Sequence, residues 1–180
     1  MTWQNEIVCK SRLRWPSTER AACRRIRWQY HHCPIDLDRR DVYAGDNFGI
    51  CYRDFDTDRG PFMLPTTTPV QFDPEAMHRT IDRLMGYDPR RIVQTHFGPV
   101  TDLARLAGDL HGSVDELVRI ARSHADAPDR TQRIRDAMFE YFSARLDEHG
   151  YTGDLPTRHR LIDEDVNLNT QGLEVWLSKQ

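Results

Sequence analysis

Apolar residues recur at helical spacing in the second half of the chain. After Asp73-Pro74, the residues Met77, Ile81 and Leu84 follow one another at intervals of four and three, which places them on one face of an amphipathic helix. Asp73 suits the N-cap position and Pro74 the first helical position. The same periodicity returns three more times, so the sequence predicts helices over residues 74–86, 102–122, 129–148 and 166–178.

Three shorter stretches have the pattern of strands, over residues 31–37, 41–45 and 91–95. Pro34 indicates that the first of them lies at a sheet edge or at a bulge. Residues 47–72 form a long loop, and loops of that length in a compact domain usually carry function. Its large aromatic side chains are interpreted as anchors on the core rather than as pocket walls: Tyr52, Phe55, Phe62 and Phe72. This order of elements predicts an α/β domain with a helical C-terminal tail.

The first thirty residues differ from the rest. They contain seven Lys and Arg residues against two Glu residues, with three Trp residues interleaved, and they show no clean period of 2 or 3.6. The one element that they suggest is a short helix from Arg20 to Trp28. We therefore divide the chain into a basic N-terminal segment of uncertain structure, residues 1–30, and a folded domain, residues 31–180.

Composition narrows the class of protein. Of the 180 residues, 38% are apolar and 29% are charged, which is typical of a soluble globular protein. The net charge of -3 does not favour nucleic-acid binding through the basic N-terminus, and no apolar stretch is long enough for a membrane span or a secretory signal. A cytoplasmic location is the expectation. The four cysteines form no C-x-x-C pair and are interpreted as free thiols.

Two residues are candidates for chemistry because each follows directly on a predicted strand. Asp46 stands in AGDNFG and His96 in QTHFGP. A side chain at the carboxyl end of a strand, followed by a glycine turn, is held rigidly and still reaches an open face. A carboxylate and an imidazole also suit Zn, Fe or Mn. The alternative is that Asp46 forms a turn and that His96 bonds to backbone. The other histidines are interpreted as surface residues: His78, His111, His124, His149 and His159.

The stretch from Val42 to Val100 resembles the second half of a bacterial metallo-β-lactamase-fold protein. In that superfamily a strand ending in Gly-Asp supplies an aspartate that bridges two metal ions, which corresponds to Asp46. A later strand ends in a histidine ligand, often followed by Gly-Pro, which corresponds to His96. The tail DVNLNTQGLEVWLSKQ is similar to the closing segment of one subgroup. The resemblance implies a partial αββα-type fold, with one sheet and flanking helices.

The sequence also departs from the family pattern. The motif His-x-His-x-Asp-His is absent, and nothing in residues 1–45 approximates it. The family has a Gly-His a little under twenty residues before the bridging aspartate, but this chain has Ile26-Arg27 there. His31 and His32 lie nearby and are interpreted as neighbours of that position, with a role as substitute ligands left open. Residues 31–180 are thus expected to correspond to the C-terminal half of the domain.

The resemblance implies a metal-dependent hydrolase of small molecules whose complete site holds up to two ions of Zn, or of Fe or Mn. Two ligands do not enclose a zinc ion. Three alternatives follow: metal binding is weak or absent in this chain alone, another chain supplies ligands, or the chain is a non-catalytic remnant that acts as an interaction module.

The missing half also has a consequence for burial. In the complete fold two sheets pack face to face. We therefore expect an inner face around Ile35, Leu37, Val42 and Ile92 to lack its cover, and the chain to form a homo-oligomer or to bind a complementing chain.

Overall fold

The computed structural model describes residues 21–25, 32–67 and 72–180. Within these ranges five strands and four α-helices follow one another, with short 3-10 turns at 46–48 and 53–55. The elements in chain order are β1 (Ala21–Arg25), β2 (His32–Asp36), β3 (Asp41–Gly45), α1 (Pro74–Met85), β4 (Arg91–Gln94), β5 (Pro99–Val100), α2 (Leu103–Ser123), α3 (Arg130–Glu148) and α4 (Leu155–Leu177). The prediction of an α/β chain with one sheet and flanking helices is confirmed at this level.

The strands lie in sequence order in one mixed sheet. β1, β2 and β3 pair antiparallel, β3 and β4 pair parallel, and β4 and β5 pair antiparallel. The parallel pair requires a crossover, and the chain makes it through the loop after β3 and then α1. Val42 lies opposite Ile92 in that pair. As a result β3 and β4 end at the same edge of the sheet.

The apolar face of the sheet is covered within the chain itself. Ile35, Val42 and Ile92 are fully buried and belong to one hydrophobic cluster with residues of all four helices. The expectation that this face lacks its cover was therefore wrong, and of the four residues named for it Leu37 alone is exposed. The helices bury the face because their apolar stripes, such as Met77, Ile81 and Leu84 of α1, are buried in that same cluster.

Helix α4 begins at Leu155, well before the predicted start at residue 166. Its buried stripe includes three polar residues, Arg158, Asn169 and Thr170, of which Arg158 interrupts the apolar period before residue 166. The Arg158 guanidinium is satisfied by the carbonyls of Gly153 and Ser143 and by the Asp147 carboxylate. A buried arginine with these partners takes the place of an apolar residue in the stripe.

The N-terminal part of the sheet also differs from the predictions. Residues 21–25 form β1, which is incompatible with the helix predicted from Arg20 to Trp28. Pro34 stands in β2, which lies between β1 and β3 without a bulge at Pro34, so the edge position predicted for it was wrong. Strand β5 has two residues and was not predicted.

The aromatic residues of the long loop anchor it on the core, as predicted. Phe55, Phe62 and Phe72 are buried. The Phe55 ring meets the rings of Phe62 and Tyr151 edge to face, with centroids 5.9 and 5.0 Å away. Tyr52 is half-buried and faces a pocket instead. None of the helices in the described ranges is both long enough and apolar enough to cross a bilayer.

Residues 64–67, the described end of the loop, pack closely against α4 at Gly172. A Cβ atom added at residue 172 would lie 2.3 Å from the Thr67 carbonyl oxygen. The helix can therefore approach the loop only because residue 172 has no side chain. Gly112 in α2 offers the opposite environment, since a Cβ there would meet nothing within 4 Å.

Alanine at these two glycines should therefore have opposite effects. We expect Gly172→Ala to lower the free energy of unfolding by about 1–3 kcal/mol, because the loop or the helix must shift. Gly112→Ala should raise it by up to about 1 kcal/mol through helix propensity alone. Denaturant unfolding of both variants measures the difference. Equal stability of the two would show that the contact at Gly172 is not tight.

Candidate functional site

Asp46 stands at the point where β3 ends. Gly45 has a φ of 60°, which turns the chain sharply, and Asp46 opens the 3-10 turn that follows. Its carbonyl oxygen accepts hydrogen bonds from the Gly49 amide at 3.3 Å and from the Thr66 hydroxyl at 2.8 Å. The carboxylate atom Oδ1 is buried and has no hydrogen-bond partner among the described residues. The backbone of Asp46 is therefore fixed, while one carboxylate oxygen is left for another group.

The turn at Asp46 is held against β4 by Gln94. The Gln94 side-chain amide donates to the carbonyl oxygens of Phe48 at 2.7 Å and Gly49 at 2.9 Å. Asn47 holds the same turn from within, since its amide donates to the Ala44 carbonyl at 2.9 Å. These buried amide groups position Asp46 relative to the strand that carries His96.

His96 lies in the tight loop between β4 and β5. Phe97 and Gly98 both have positive φ, 67° and 87°, and the backbone N–H of Gln94 donates to the Gly98 carbonyl at 3.4 Å. The Arg53 guanidinium also holds the loop in place, because it donates to the carbonyls of Phe97 and Pro99, each at 2.9 Å. The His96 side chain itself is exposed. The loop therefore presents an accessible imidazole on a restrained backbone.

Asp46 and His96 both line one pocket, with a volume of about 290 Å³. The parallel pairing of β3 and β4 accounts for this, since both residues follow the carboxyl ends of those strands. Two larger hollows, of about 610 and 520 Å³, lie among surface loops and contain neither residue. The wall of the shared pocket combines polar and apolar side chains: Asp46, Ile50, Tyr52, Thr66, Thr67, His96, Phe97, Asp165, Leu168 and Asn169.

Asp165 of α4 contributes a second carboxylate to the pocket, which the sequence analysis missed. The Tyr52 hydroxyl donates to its Oδ2 atom at 2.7 Å. Burial raises the pKa of Asp165, and together with the nearby charge of Glu164 this outweighs the opposing effect of the Tyr52 hydrogen bond. Burial and the same carboxylate also raise the pKa of Tyr52. Asp165 is the first residue of the stretch DVNLN, which the sequence analysis placed in a helix, but the predicted helix began one residue after Asp165.

Asn169 serves the pocket as a structural residue. Its Oδ1 atom accepts from the Thr67 amide at 2.7 Å and from the Thr67 hydroxyl at 3.0 Å, and its amide donates to the Pro65 carbonyl at 3.0 Å. Because both ends of this side chain are engaged, Asn169 fixes residues 65–67 on α4. Thr66, which bonds to the Asp46 carbonyl, is positioned by the same contact.

The described residues do not by themselves form a complete metal site. In the ranges 21–25, 32–67 and 72–180, no three His, Cys, Asp or Glu side chains are grouped so that they could hold a metal ion. His31 lies outside the described residues, and of His32 only the backbone position in β2 is described. Cys33 and Cys51 are buried, and burial raises the pKa of Cys51 to about 12. Such a thiol is a poor source of the thiolate that binds metals.

Comparison with known proteins adds no relative. No protein-family model matches this chain, and no curated protein matches it.

The raised pKa of Asp165 predicts an effect on stability. The folded chain holds a proton on Asp165 to higher pH than the unfolded chain does, so this group favours folding below its ordinary pKa of 3.8. That contribution is lost as the pH rises through the raised value. We expect Asp165→Asn to be more stable than the wild type at pH 7, by a margin that shrinks as the pH falls toward 3.8.

Denaturant unfolding over this pH range measures that margin, with Asp126→Asn as the control, since Asp126 is an exposed loop residue. A loss of stability at pH 7 in Asp165→Asn would contradict the prediction, because it would mean that the charged form of Asp165 stabilises the fold.

Proposed function

We propose that this chain carries part of the site of a metal-dependent hydrolase of the metallo-β-lactamase superfamily, with Asp46 and His96 as two of its metal ligands. The observation that supports the proposal most is their position. Both residues follow adjacent parallel strands, both line the pocket of about 290 Å³, and Asp46 keeps a buried oxygen atom without a partner.

The donor set fits a metal ion. A buried carboxylate oxygen without a hydrogen bond costs free energy, which a bound cation would offset. An aspartate and a histidine are ligands that Zn accepts, and Fe or Mn would also suit them. When bound, up to two such ions would lower the pKa of a bound water molecule and would polarise the substrate. The additional ligands would come from another chain or from His31 and His32, and with two ligands alone binding is weak.

The other residues of the pocket would bind and orient the substrate. The ring centroids of Tyr52 and Phe97 lie 4.5 Å apart, and the two rings form an apolar wall beside His96. Asp165, whose pKa is raised by burial, is suited to hold a proton at its carboxyl group. The volume of the pocket suits a small molecule rather than a polymer.

Removing either ligand should weaken metal binding without unfolding the chain. We expect Asp46→Asn and His96→Gln each to weaken Zn²⁺ binding at this site by at least about tenfold, because each removes a direct ligand. Metal analysis after equilibrium dialysis measures the bound zinc, and His124→Gln at the end of α2 is the matched histidine control. Equal zinc content in all four proteins would contradict a ligand role for Asp46 and His96.

A second candidate function is that of a non-catalytic interaction module. The sheet face opposite the helices carries Pro34, Tyr43, Val93 and Pro99, where both prolines are exposed and the other two residues are half-buried. A second copy of the chain that covered this face would form a homo-oligomer, although through the opposite face from the one that the sequence analysis expected to be uncovered.

Light scattering tests this candidate on the full chain. We expect a mass above the 21.1 kDa of the monomer, and Val93→Lys should lower it toward that value, because a charge would be buried in the interface. Leu155→Lys is the control, since Leu155 is exposed at the start of α4. A monomeric wild-type chain would contradict the candidate.

A further inference from the structure

The carboxylates of the pocket that Asp46 and His96 share differ from the others in how their charge is neutralised. In the described part of the chain, each of the other buried or half-buried carboxylates lies 3.9 Å or less from an arginine nitrogen atom: Asp36, Asp41, Asp109, Glu116, Asp163 and Glu174. Asp46 and Asp165 form no ion pair with a described arginine or lysine. The pocket therefore holds two carboxylates whose charge no described side chain balances.

Asp165 is the carboxylate with an atom left for an organic ligand. The Tyr52 hydroxyl donates to its Oδ2 atom at 2.7 Å, and no described residue donates a hydrogen bond to its Oδ1 atom. Glu164 adds a second negative charge beside Asp165. A carboxylate withdrawn from water costs free energy unless a cation or several donors compensate it. A positively charged group that entered the pocket would provide this compensation.

The same pocket has an apolar side that is open to solvent. Phe97 and Leu168 line it and are 42% and 40% exposed, which makes them two of the four large hydrophobic side chains that are exposed among the described residues. The Tyr52 ring lies against the Phe97 ring, with their centroids 4.5 Å apart. Apolar side chains gathered at the wall of a pocket are typical of a surface that a ligand covers.

We propose that this pocket binds a small molecule in which a protonated amine is joined to an apolar group. The ammonium group would donate hydrogen bonds to the Asp165 carboxylate, and the apolar group would lie against Tyr52, Phe97 and Leu168. Aromatic faces also attract an ammonium group. An anionic molecule is disfavoured, because no lysine or arginine is among the described residues that line the pocket.

For the hydrolase this ligand class defines the substrate, and that part of the inference rests on the proposed function. The substrate would carry its amine apart from the bond that is hydrolysed. Asp165 would bind the amine and so orient the molecule, while Asp46 and His96 would serve the bond through the metal that they hold. The binding of the amine itself requires no metal ion, because its partners are Asp165 and the apolar wall.

NMR titration of the full chain at pH 7 in the presence of EDTA tests the inference with three probes of similar size. These are 2-phenylethylamine, 2-phenylethanol and 3-phenylpropanoate, which present a cation, a neutral group and an anion, since an alkylamine is protonated at this pH. We expect the amine to bind at least about tenfold more tightly than the alcohol, and the carboxylate to bind least tightly. Equal affinity for amine and alcohol, or no binding of the amine, would overturn the proposal.

Two substitutions on α4 separate the charge of Asp165 from its structural contact. Asp165→Asn keeps an oxygen that accepts the Tyr52 hydrogen bond but loses the charge, so it should abolish most of the preference for the amine and leave the affinity for the alcohol unchanged. Asp163→Asn is the matched control, because Asp163 pairs with Arg135 and His159 and does not line the pocket. A preference for the amine that survives in Asp165→Asn would refute this role of Asp165.

Two further variants keep this result distinct from the metal site. Phe97→Ala should weaken the binding of amine and alcohol by the same factor, because it removes apolar contact and no charge. Asp46→Asn should retain the preference for the amine even though it weakens zinc binding. Loss of the preference in Asp46→Asn but not in Asp165→Asn would overturn the inference. Because EDTA removes the metal, a failure of zinc to bind at Asp46 and His96 leaves these titrations unaffected.

Discussion

The parallel pairing of β3 with β4 is the contact on which the candidate site depends. It sets Val42 opposite Ile92 and brings the residues after Gly45 and Gln94 to one edge of the sheet. A slip of one residue would turn the buried side chains of one strand to the other face, so the apolar core fixes this register. Asp46 and His96, fifty residues apart in sequence, share a pocket because of it.

The pocket is closed from the other side by α4. Asn169 and Gly172 hold residues 65–67 against the helix, one by hydrogen bonds and the other by having no side chain. The same helix delivers Asp165 to the pocket, where Tyr52 from the long loop meets it. The long loop and the C-terminal helix are therefore parts of one site, although the sheet carries the two residues that the sequence first indicated.

The sequence predicted those parts of the fold whose pattern is carried by apolar residues. The stripe of α1, its Asp73-Pro74 start and the ends of β3 and β4 were all visible, and so was the position of Asp46 and His96 at strand ends. The start of α4 was hidden because Arg158 occupies its buried face in place of an apolar residue, and the partners of Arg158 lie outside the helix. Asp165 was missed for the same reason. β1 could not be predicted, since its pairing with β2 comes from tertiary structure rather than from any period in AACRR.

Unsatisfied polar atoms are concentrated at the candidate site. Asp46 Oδ1, Asn47 Oδ1 and Gln94 Oε1 are all buried without hydrogen-bond partners among the described residues, and all three belong to the junction between β3 and β4. Each such atom costs about 1–3 kcal/mol, so apolar or fully bonded residues would make a more stable junction. Folded proteins tolerate such costs mainly where function requires them.

The side-chain amide groups of Asn47 and Gln94 donate the hydrogen bonds that hold the turn, and their oxygen atoms are left without partners as a consequence. The free oxygen of Asp46 is not explained in this way, and Asp46 lines the pocket. This difference is the strongest physical reason to regard Asp46 as a ligand rather than as a turn residue.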